Sequence, residues 1–220
     1  MTKKEREEYL LQKLAEMKAF DREISGGCTF IAGVDEVGRG PLAGPVVTAA
    51  VVLPSDFDVP GIDDSKKLTE KKREALFPVI KEHALAYGIG MADHKLIDEI
   101  NILEATKVAM AEAVEKANEM LREKRGEEIQ HVLFDAMKLD AVTIPQSSVI
   151  KGDAKSLSIA AASVLAKVTR DHMMVELAET YPHYAFEKNK GYGTKAHYEG
   201  LEKAGPCEIH RMSFLKNFLK

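Results

Sequence analysis

The sequence lacks any long apolar segment and has only two cysteines among its 220 residues. No run approaches the roughly 20 apolar residues that a membrane-spanning helix needs, and the charged N-terminal stretch differs from a signal peptide. The two cysteines, Cys28 and Cys207, are too few for a disulfide framework or a four-cysteine zinc site. These absences predict a soluble, cytoplasmic protein that does not engage a membrane.

Neither sign of charge dominates, but the charges are unevenly distributed along the chain. The formal net charge is −4, and residues 30–185 carry 18 basic and 25 acidic side chains, whereas residues 186–220 carry seven and four. This arrangement suits a site that gathers carboxylates around metal ions and keeps cations nearby for phosphate. With 45% hydrophobic and 30% charged residues, a chain of this length can bury a sizeable core.

The apolar patterns predict an α/β domain with a mixed sheet. Predicted strands cover residues 29–35, 45–53, 84–92, 131–135 and 147–151. Predicted helices cover residues 2–24, 66–83, 96–125 and 156–180, and Asp64-Ser65 is expected to cap the second of them. Residues 181–213 are rich in glycine, proline, tyrosine and histidine, which predicts loops around one short helix.

Three segments place carboxylates where a predicted strand or helix ends or begins. Asp35 and Glu36 follow an apolar strand, Asp135 ends another, and Asp153 precedes a helix. Each has a structural alternative, because acid pairs are common on surfaces and an aspartate near a helix start is a favoured cap. Successive strand side chains point to opposite faces, so Asp35 and Glu36 would share a ligand only if the strand bends.

These four carboxylates together predict a metal centre. If they converge on one spot, they repel one another strongly unless cations neutralise them. Ligand sets made only of oxygen atoms favour Mg²⁺ or Mn²⁺. Two such ions about 3.5–4 Å apart activate a water and stabilise the leaving oxygen in phosphoryl transfer. The acid pairs Asp63-Asp64 and Asp98-Glu99 are expected to be ordinary solvated surface.

A glycine-rich turn and an isolated tyrosine are suited to a nucleic-acid ligand. Gly38, Arg39 and Gly40 would bring bare backbone groups close to a ligand, as recognition of a 2′-hydroxyl requires. An ordinary turn is the alternative. Tyr192 stands between two glycines, a pattern typical of a tyrosine exposed enough to stack on a sugar or base.

Two lysines are candidates for phosphate contacts. Lys66 lies near a predicted helix start, although a lone lysine is more often simply solvated. Ser163, Lys167 and Asp171 lie four residues apart on one helical face. Lys167 therefore either reaches a phosphate or pairs with Asp171.

Seven segments, in order along the chain, closely resemble type 2 ribonuclease H, the ribonuclease HII family. The opening segment Ile31–Val47 is the most specific of them. The others are Asp64–Leu68, Asp135–Lys138, Lys151–Asp153, Ala160–Asp171, Gly191–Thr194 and His210–Phe214. The resemblance is of the bacterial type and covers most of the chain, from about residue 29 to residue 215.

The resemblance implies a ribonuclease H-like mixed β-sheet flanked by helices. It assigns residues 1–28 to an N-terminal helical extension and residues 29–220 to the catalytic domain, which includes a C-terminal helical and loop region at residues 181–220. The implied enzyme hydrolyses the RNA strand of RNA–DNA hybrids and incises duplex DNA 5′ of single embedded ribonucleotides. Two-metal-ion, in-line attack by water would leave 3′-hydroxyl and 5′-phosphate ends.

The resemblance also implies a role for each site residue, with two Mg²⁺ or Mn²⁺ ions supplying most of the catalysis. The implied metal ligands and catalytic residues are Asp35, Glu36, Asp135 and Asp153. The residues implied to grip the 2′-hydroxyl are Gly38, Arg39 and Gly40. Tyr192 is implied to sense the sugar at the RNA–DNA junction. The residues implied to hold phosphates are Lys66, Ser163 and Lys167.

The expected partners are RNA–DNA hybrids and ribonucleotide-containing DNA duplexes, bound by a monomer, and no protein partner is indicated. One departure is Met212, which stands where relatives commonly have a second basic residue. Type 3 ribonuclease H is the nearest alternative, but it usually carries an N-terminal binding domain that 28 residues cannot form. A DNA nuclease or integrase would not need the 2′-hydroxyl reader, and a non-catalytic hybrid-binding module would not need every carboxylate.

Overall fold

The computed structural model describes residues 2–216, in which five strands form one sheet. The strands are β1 Ile31–Val37, β2 Val46–Val52, β3 Ala86–Ala92, β4 His131–Asp135 and β5 Gln146–Val149. Their order is β3-β2-β1-β4-β5, and β1 pairs antiparallel with β2 and parallel with β4. The predicted mixed sheet is confirmed, and the predicted strand ends differ by at most two residues.

Helices lie on both faces of this sheet. They are α1 Lys3–Ile24, α2 Glu70–His83, α3 His94–Arg125, α4 Gly152–Lys155, α5 Leu157–Thr180, α6 Phe186–Asn189, α7 Lys195–Ala204 and α8 Met212–Leu215, with a 3₁₀ turn at Pro182–Tyr184. No helix within residues 2–216 is long and apolar enough to cross a membrane. Residues 217–220, at the end of the predicted C-terminal region, lie outside the described residues.

The central strands are covered on both faces, which explains why β2 is apolar except for Thr48, whose hydroxyl donates to the Ala109 carbonyl at 2.8 Å. Every residue of β2 is buried. On one face, Met110 and Leu121 of α3 pack with Val34 and Val52. On the other face, the small side chains of residues 160–162 let α5 approach the sheet closely. Both faces of a strand must be apolar when helices cover both of them.

The closest approach of α5 to the sheet is at Gly33 on β1. A Cβ atom at this position would lie 2.1 Å from the carbonyl carbon of Ser158 and 2.2 Å from the backbone nitrogen of Ile159. Real Cβ atoms do not approach backbone atoms this closely. The glycine therefore fixes the distance between β1 and α5, the two elements that carry several of the predicted site residues.

The N-terminal helix docks on the domain through polar as well as apolar contacts. Asp21 of α1 is buried, and its Oδ2 accepts a hydrogen bond from the Ser158 N–H at 2.9 Å. This carboxylate lies at the N-terminus of α5, where the helix dipole favours negative charge. Lys13 contributes an ion pair with Asp63 at 2.6 Å, so Asp63 is not the solvated surface residue that the sequence predicts.

The second helix begins later than the sequence predicts. Its first residue is Glu70 and its N-cap is Thr69, whose Oγ1 accepts a hydrogen bond from the Lys72 N–H. Asp64 and its neighbour Ser65 lie in a turn instead, where Asp64 Oδ1 accepts from the Lys66 N–H at 2.9 Å. The side chain of Asp64 does cap backbone, but it caps a turn rather than a helix.

The long third helix is interrupted, which the periodic pattern did not show. Asn101 has φ +70° and ψ 164°, values outside the helical range. Its Oδ1 accepts hydrogen bonds from the backbone N–H groups of Leu103 and Glu104, at 2.9 and 3.2 Å. Asn101 therefore works as an N-cap for the longer C-terminal part of α3.

The C-terminal region contains more helix than the single short one predicted. Two of its helices, α6 and α8, have only four residues each, too few to produce a periodic pattern. Asp98 accepts hydrogen bonds from the backbone N–H groups of Met212 and Ser213 at 2.7 and 2.9 Å. Asp98 thus holds the start of α8 and is not the purely solvated residue expected from the sequence.

We expect Gly33→Ala to lower the free energy of unfolding by about 3 kcal/mol, because the added methyl group collides with the backbone of α5. Gly126→Ala is the matched control. Gly126 has φ +70° and open space around it, so that change should cost only about 1 kcal/mol. Urea unfolding of both variants measures the difference. Equal losses would contradict a packing role for Gly33.

Candidate active site

The ends of β1 and β4 bring the predicted carboxylates to one edge of the sheet. The two strands run parallel, so Asp35 and Asp135 follow their last paired residues side by side. Asp153 lies in the first turn of α4, and the Gly152 N–H donates to Asp135 Oδ1 at 2.8 Å. Asp35 and Asp153 are buried, whereas Glu36 and Asp135 are partly buried.

Glu36 joins this group although β1 stays regular at this point. The pairing of β1 with β2 continues without a bulge through Val37, so Asp35 and Glu36 lie within the strand rather than beyond its end. The Glu36 N–H donates to Asp35 Oδ1 at 2.8 Å. Both carboxylates lie close enough to Asp135 for its charge to raise their pKa values. The structure therefore brings together all four acidic residues that the sequence singled out.

Burial and mutual repulsion disfavour the ionised forms of these carboxylates. Burial raises the pKa of Asp35 well above its usual range, and the charges of Glu36 and Asp135 raise it further. Burial is also the largest cause of the raised pKa of Glu36. The pKa of Asp153 is raised by burial and by the charges of Asp64 and Asp135. Positive charge placed among them would relieve this cost.

The donor atoms fit hard divalent cations. All four side chains offer carboxylate oxygens, which Mg²⁺ and Mn²⁺ prefer. Glu36 Oε2 is buried and has no hydrogen-bond partner, so one strong acceptor is left for a ligand. Within residues 2–216, no three acidic, histidine or cysteine side chains already enclose a metal position.

A turn tied to α5 brings one more acid and one cation to this edge. Ser163 of α5 donates to Ser65 Oγ at 2.7 Å and accepts from the Ser65 N–H at 3.2 Å. Partial burial lowers the pKa of Lys66, but the charges of Asp35 and Asp64 outweigh it and the net shift is upward. Asp64, expected on solvated surface, therefore belongs to the site.

Lys167 is engaged in an ion pair on the same helix. Its Nζ donates to Asp171 Oδ1 at 2.6 Å, and Arg73 Nη2 lies 3.9 Å from Asp171 Oδ2. All three side chains are largely buried. Pairing with Asp171 was one of the two alternatives that the sequence left open, and the structure shows it.

The glycine-rich loop at residues 38–45 leaves the end of β1 and wraps around two buried arginines. Gly38 has φ +91°, and a Cβ atom there would lie 2.2 Å from Arg170 Nε, so only glycine fits. Arg170 donates from Nε to the Pro45 carbonyl at 2.9 Å and from Nη1 to the Lys190 carbonyl at 2.8 Å. It thus joins this loop to the segment that carries the predicted tyrosine.

Arg211 holds the same loop from the C-terminal side. It donates to the carbonyl oxygens of Gly38, Arg39 and Gly44 at 2.6, 3.0 and 2.8 Å. Burial and, to a smaller extent, the charge of Arg170 lower the pKa of Arg211 to about 9. Burial likewise lowers the pKa of Arg170 to about 10, and both side chains stay charged near neutral pH. Each hydrogen bond to a charged donor contributes about 1.5–3 kcal/mol.

The tyrosine lies against this loop. Tyr192 is 42% exposed, and its Cε1 would be 3.6 Å from a Cβ atom at Gly40. Arg39 Nη1 lies 3.4 Å from Glu36 Oε1, which links the loop to the acidic residues. The predicted 2′-hydroxyl reader, the tyrosine and the carboxylates therefore share one surface.

Sequence reasoning did not single out Arg170 or Arg211, although both lie within the segments that resemble the family. The local pattern carries no signal for Arg170, because it stands between Thr169 and Asp171 in a polar stretch of α5. His197 and His210 were also missed, and both are fully buried beside the tyrosine segment. Pattern alone could not distinguish these side chains from solvated ones.

Comparisons of the sequence with known proteins agree on one family. The family model for ribonuclease HII matches residues 32–217. Ribonuclease HII from Bacillus mycoides is 55% identical over 215 residues, which cover 97% of this chain and 78% of that protein. Ribonuclease HII from Ruminiclostridium cellulolyticum is 53% identical over 211 residues, covering 96% and 80%.

Solved structures show the same fold. Ribonuclease H2 from Pyrococcus horikoshii superposes with a TM-score of 0.64 at 28% identity, covering 86% of this chain and 99% of that one. The PCNA:RNase HII complex from Archaeoglobus fulgidus gives a TM-score of 0.66 at 25% identity, covering 83% and 94%. Bst-RNase HIII in complex with Mn²⁺ is only 18% identical, with a TM-score of 0.57, and is similar in fold alone.

The family model covers most of the chain, and the relatives are more than half identical along nearly all of it. The predictions of a ribonuclease H-like fold and of a divalent-metal-dependent ribonuclease are thereby confirmed. Enzymes of this kind cleave the RNA strand of RNA–DNA hybrids. This chain belongs to the ribonuclease HII family.

Proposed function

We propose that this enzyme also incises duplex DNA on the 5′ side of single embedded ribonucleotides. Water attacks in line with the leaving oxygen, and the products carry 3′-hydroxyl and 5′-phosphate ends. The observation that carries this proposal is the position of the Tyr192 ring, whose Cε1 lies 3.6 Å from where a Cβ atom on Gly40 would be, next to the Arg39–Glu36 ion pair. A sugar contacted by the loop would therefore lie beside the carboxylates that serve the chemistry.

The carboxylates Asp35, Glu36, Asp135 and Asp153 would hold two Mg²⁺ or Mn²⁺ ions. Such ions, when bound, neutralise charge on the phosphate oxygens and make water more acidic. The raised pKa values of the buried carboxylates and the unpartnered Glu36 Oε2 support this role, because both mark negative charge that lacks compensation. Gly152 and the turn at Ser65 fix the positions of the surrounding backbone.

Recognition of a ribonucleotide falls to the glycine-rich loop and the tyrosine. The backbone at Gly38, Arg39 and Gly40 approaches the 2′-hydroxyl, and Tyr192 stacks on the sugar at the junction with DNA. Deoxyribose would leave the same backbone groups unpaired, and unpaired buried polar groups discriminate strongly between ligands. The rigid attachment of the loop to Arg170 and Arg211 supports this reading.

Phosphates of the bound strand would contact Lys66, Ser163 and Lys167. Lys66 is exposed and lies near enough to the carboxylates to interact with their charges, so it supplies a cation beside them. Ser163 is buried and acts mainly by holding the turn that carries Lys66. Lys167 would have to share its charge between Asp171 and a phosphate.

We further propose that residues 29–220 form the catalytic domain and that residues 1–28 form an extension docked on it. The buried Asp21 at the start of α5 and the Lys13–Asp63 ion pair support this docking. The enzyme would act as a cytoplasmic monomer on RNA–DNA hybrids and ribonucleotide-containing duplexes, and its chemistry needs no protein partner.

The first test is a labelled DNA duplex containing one ribonucleotide. We expect a single nick on the 5′ side of the ribonucleotide with Mg²⁺ or Mn²⁺ and none with EDTA. Without cations, the negative carboxylates would repel the negative phosphate of the substrate. A gel that resolves single nucleotides and end groups measures this. Cleavage of a long RNA–DNA hybrid with no nick at the single ribonucleotide would favour a type 3 activity instead.

Asp35→Asn should abolish cleavage, by at least about 1,000-fold, while hybrid binding stays within about threefold. In EDTA the same change should raise the melting temperature at neutral pH, because it removes a buried charge repelled by its neighbours. Calorimetry and a binding titration measure these effects. Asp56→Asn, at an exposed aspartate, is the control and should leave cleavage, hybrid binding and the melting temperature unchanged.

The raised pKa of Asp35 also sets the sign of the pH effect. The folded protein without metal binds this proton more tightly than the unfolded chain does, so stability is gained as pH falls and is complete below the ordinary value of 3.8. Asp35→Asn should reduce this gain. A loss of folding in the variant would show Asp35 to be structural.

Tyr192→Ala should lower incision at a single ribonucleotide by about tenfold or more, because it removes the ring that packs on the sugar at the junction. Aromatic contacts with a nucleotide are on the order of 1–3 kcal/mol, the value for a stacked base. Cleavage within a long hybrid should fall by less than about threefold, because neighbouring ribonucleotides add contacts. Tyr9→Ala, at a 55% exposed tyrosine of α1, is the control. Equal losses on both substrates would contradict junction sensing.

A further inference from the structure

A relay of hydrogen bonds runs from the C-terminal region to the backbone of the tyrosine. The backbone N–H of Cys207 lies 2.9 Å from His210 Nδ1. Nε2 of His210 lies 2.9 Å from Nε2 of His197. Nδ1 of His197 lies 2.9 Å from the carbonyl oxygen of Tyr192. Four residues are thus connected in series, and the last of them is the predicted sensor.

The partners fix where each hydrogen sits. A carbonyl oxygen only accepts, so His197 Nδ1 must carry a hydrogen and donate to Tyr192. Neutral His197 then has a bare Nε2, which accepts from the Nε2–H of His210. His210 Nδ1 is left bare and accepts from the Cys207 N–H. With both histidines neutral, each of these three contacts has one donor and one acceptor. The Sγ atom and the carbonyl oxygen of Cys207 also lie near His210 Nδ1, at 3.1 and 3.3 Å.

The surroundings keep the two rings neutral and immobile. His197 and His210 are 0% and 1% exposed. The ring of Tyr184 packs edge-on against both, and Phe186 stacks on Tyr184 with ring centroids 5.2 Å apart. Burial lowers the pKa of His197, and it lowers the pKa of His210 to about 4. A proton added to His197 Nε2 would face the Nε2–H of His210 across 2.9 Å. A proton added to His210 Nδ1 would face the Cys207 N–H at the same distance.

The far end of the relay adds a side-chain support to a turn that is otherwise closed by its own backbone, because the Tyr192 N–H donates to the Asn189 carbonyl at 2.9 Å. Tyr192 lies between Gly191 and Gly193, whose backbones are intrinsically mobile. Gly191 is fixed on one side, because its carbonyl accepts from the Leu42 N–H at 2.8 Å. On the other side, the Tyr192 carbonyl accepts from the Thr194 N–H at 2.8 Å and from His197 Nδ1 at 2.9 Å. The first bond is local to the turn, whereas the bond from His197 ties the turn to the side chains of α7.

We propose that His197 is a positioning residue, which, oriented by His210, holds Tyr192 over Gly40 and thereby sets the preference for single ribonucleotides. The part of this inference that concerns substrate preference rests on the proposed function of Tyr192. The part that concerns position does not, because it follows from the hydrogen bonds alone.

Two variants of His197 separate positioning from general stability. His197→Phe keeps a ring of similar size but removes the donor to Tyr192. His197→Asn retains an N–H donor near the place of Nδ1, although it too leaves the Nε2–H of His210 without its acceptor. Both variants therefore lose the bond between the histidines, and only His197→Phe must lose the bond to the tyrosine.

We expect His197→Phe to lower kcat/KM at a single ribonucleotide by about tenfold and on a long hybrid by less than about threefold, since small misplacements of a contact group are costly. His197→Asn should recover most of the single-ribonucleotide activity at a similar melting temperature. If both variants lose activity equally on both substrates, in proportion to their melting temperatures, the role is merely structural and the inference is wrong.

A spectroscopic probe tests the position directly. The chain contains no tryptophan, so Tyr192→Trp supplies a single fluorophore at the site. Adding His197→Phe should raise the acrylamide quenching constant about twofold, because the freed segment moves into solvent, and adding His197→Asn should not. Unchanged quenching with His197→Phe would overturn the inference.

The two proposals fail in distinguishable ways. If Tyr192→Ala shows no selective loss, the junction-sensing role of the tyrosine is wrong, and the quenching experiment alone decides whether His197 holds the segment. If Tyr192→Ala lowers only single-ribonucleotide incision, and His197→Phe neither raises quenching nor changes selectivity, two conclusions follow. Junction sensing by Tyr192 is supported, and positioning of Tyr192 by His197 is wrong.

Discussion

Two buried guanidinium groups hold the glycine-rich loop at residues 38–45 and the segment that carries Tyr192. Arg170 and Arg211 direct their hydrogen bonds to backbone carbonyls of the loop at residues 38–45 and of Lys190. Burying two like charges near each other is costly, and many charge-assisted bonds to carbonyl oxygens must offset it. Because the same two side chains contact several distant segments, the loop and the tyrosine segment hold one fixed relation to each other.

At the acidic edge of the sheet, in contrast, the buried charges lack compensating partners. There, Asp35 and Asp153 are buried among other carboxylates, so their neutral forms are favoured and their ionised forms destabilise the fold. The rigid strand pairing around β1 tolerates this local cost because β2 and β4 hold the backbone on both sides. The protein thus keeps a cluster of mutually repelling carboxylates next to the firmly anchored glycine-rich loop. This combination suits a metal-dependent nuclease, because bound cations would relieve the repulsion.

Sequence reasoning succeeded where local pattern and tertiary structure agree. The strands were predictable because burial on both faces requires continuous apolar runs, as in β2. It failed where a distant partner overrode a local preference. Asp64-Ser65 looks like a helix cap, but Ser163 holds Ser65 in a turn. The structural roles of Asp98 and Arg211 depend on residues more than 100 positions away, and no periodicity reports such partners.

The supports of the glycine-rich loop at residues 38–45 determine when during synthesis this loop can fold. Its backbone comes from residues 38–45, but its supports come from Arg170, the segment at Lys190 and Arg211. During synthesis from the N-terminus, the carboxylates up to Asp153 emerge long before the last of these supports. A growing chain on the ribosome therefore holds its acidic residues while the loop proposed to read the 2′-hydroxyl is still without its supports. The arrangement of this loop is complete only when nearly all of residues 2–216 have been translated and folded.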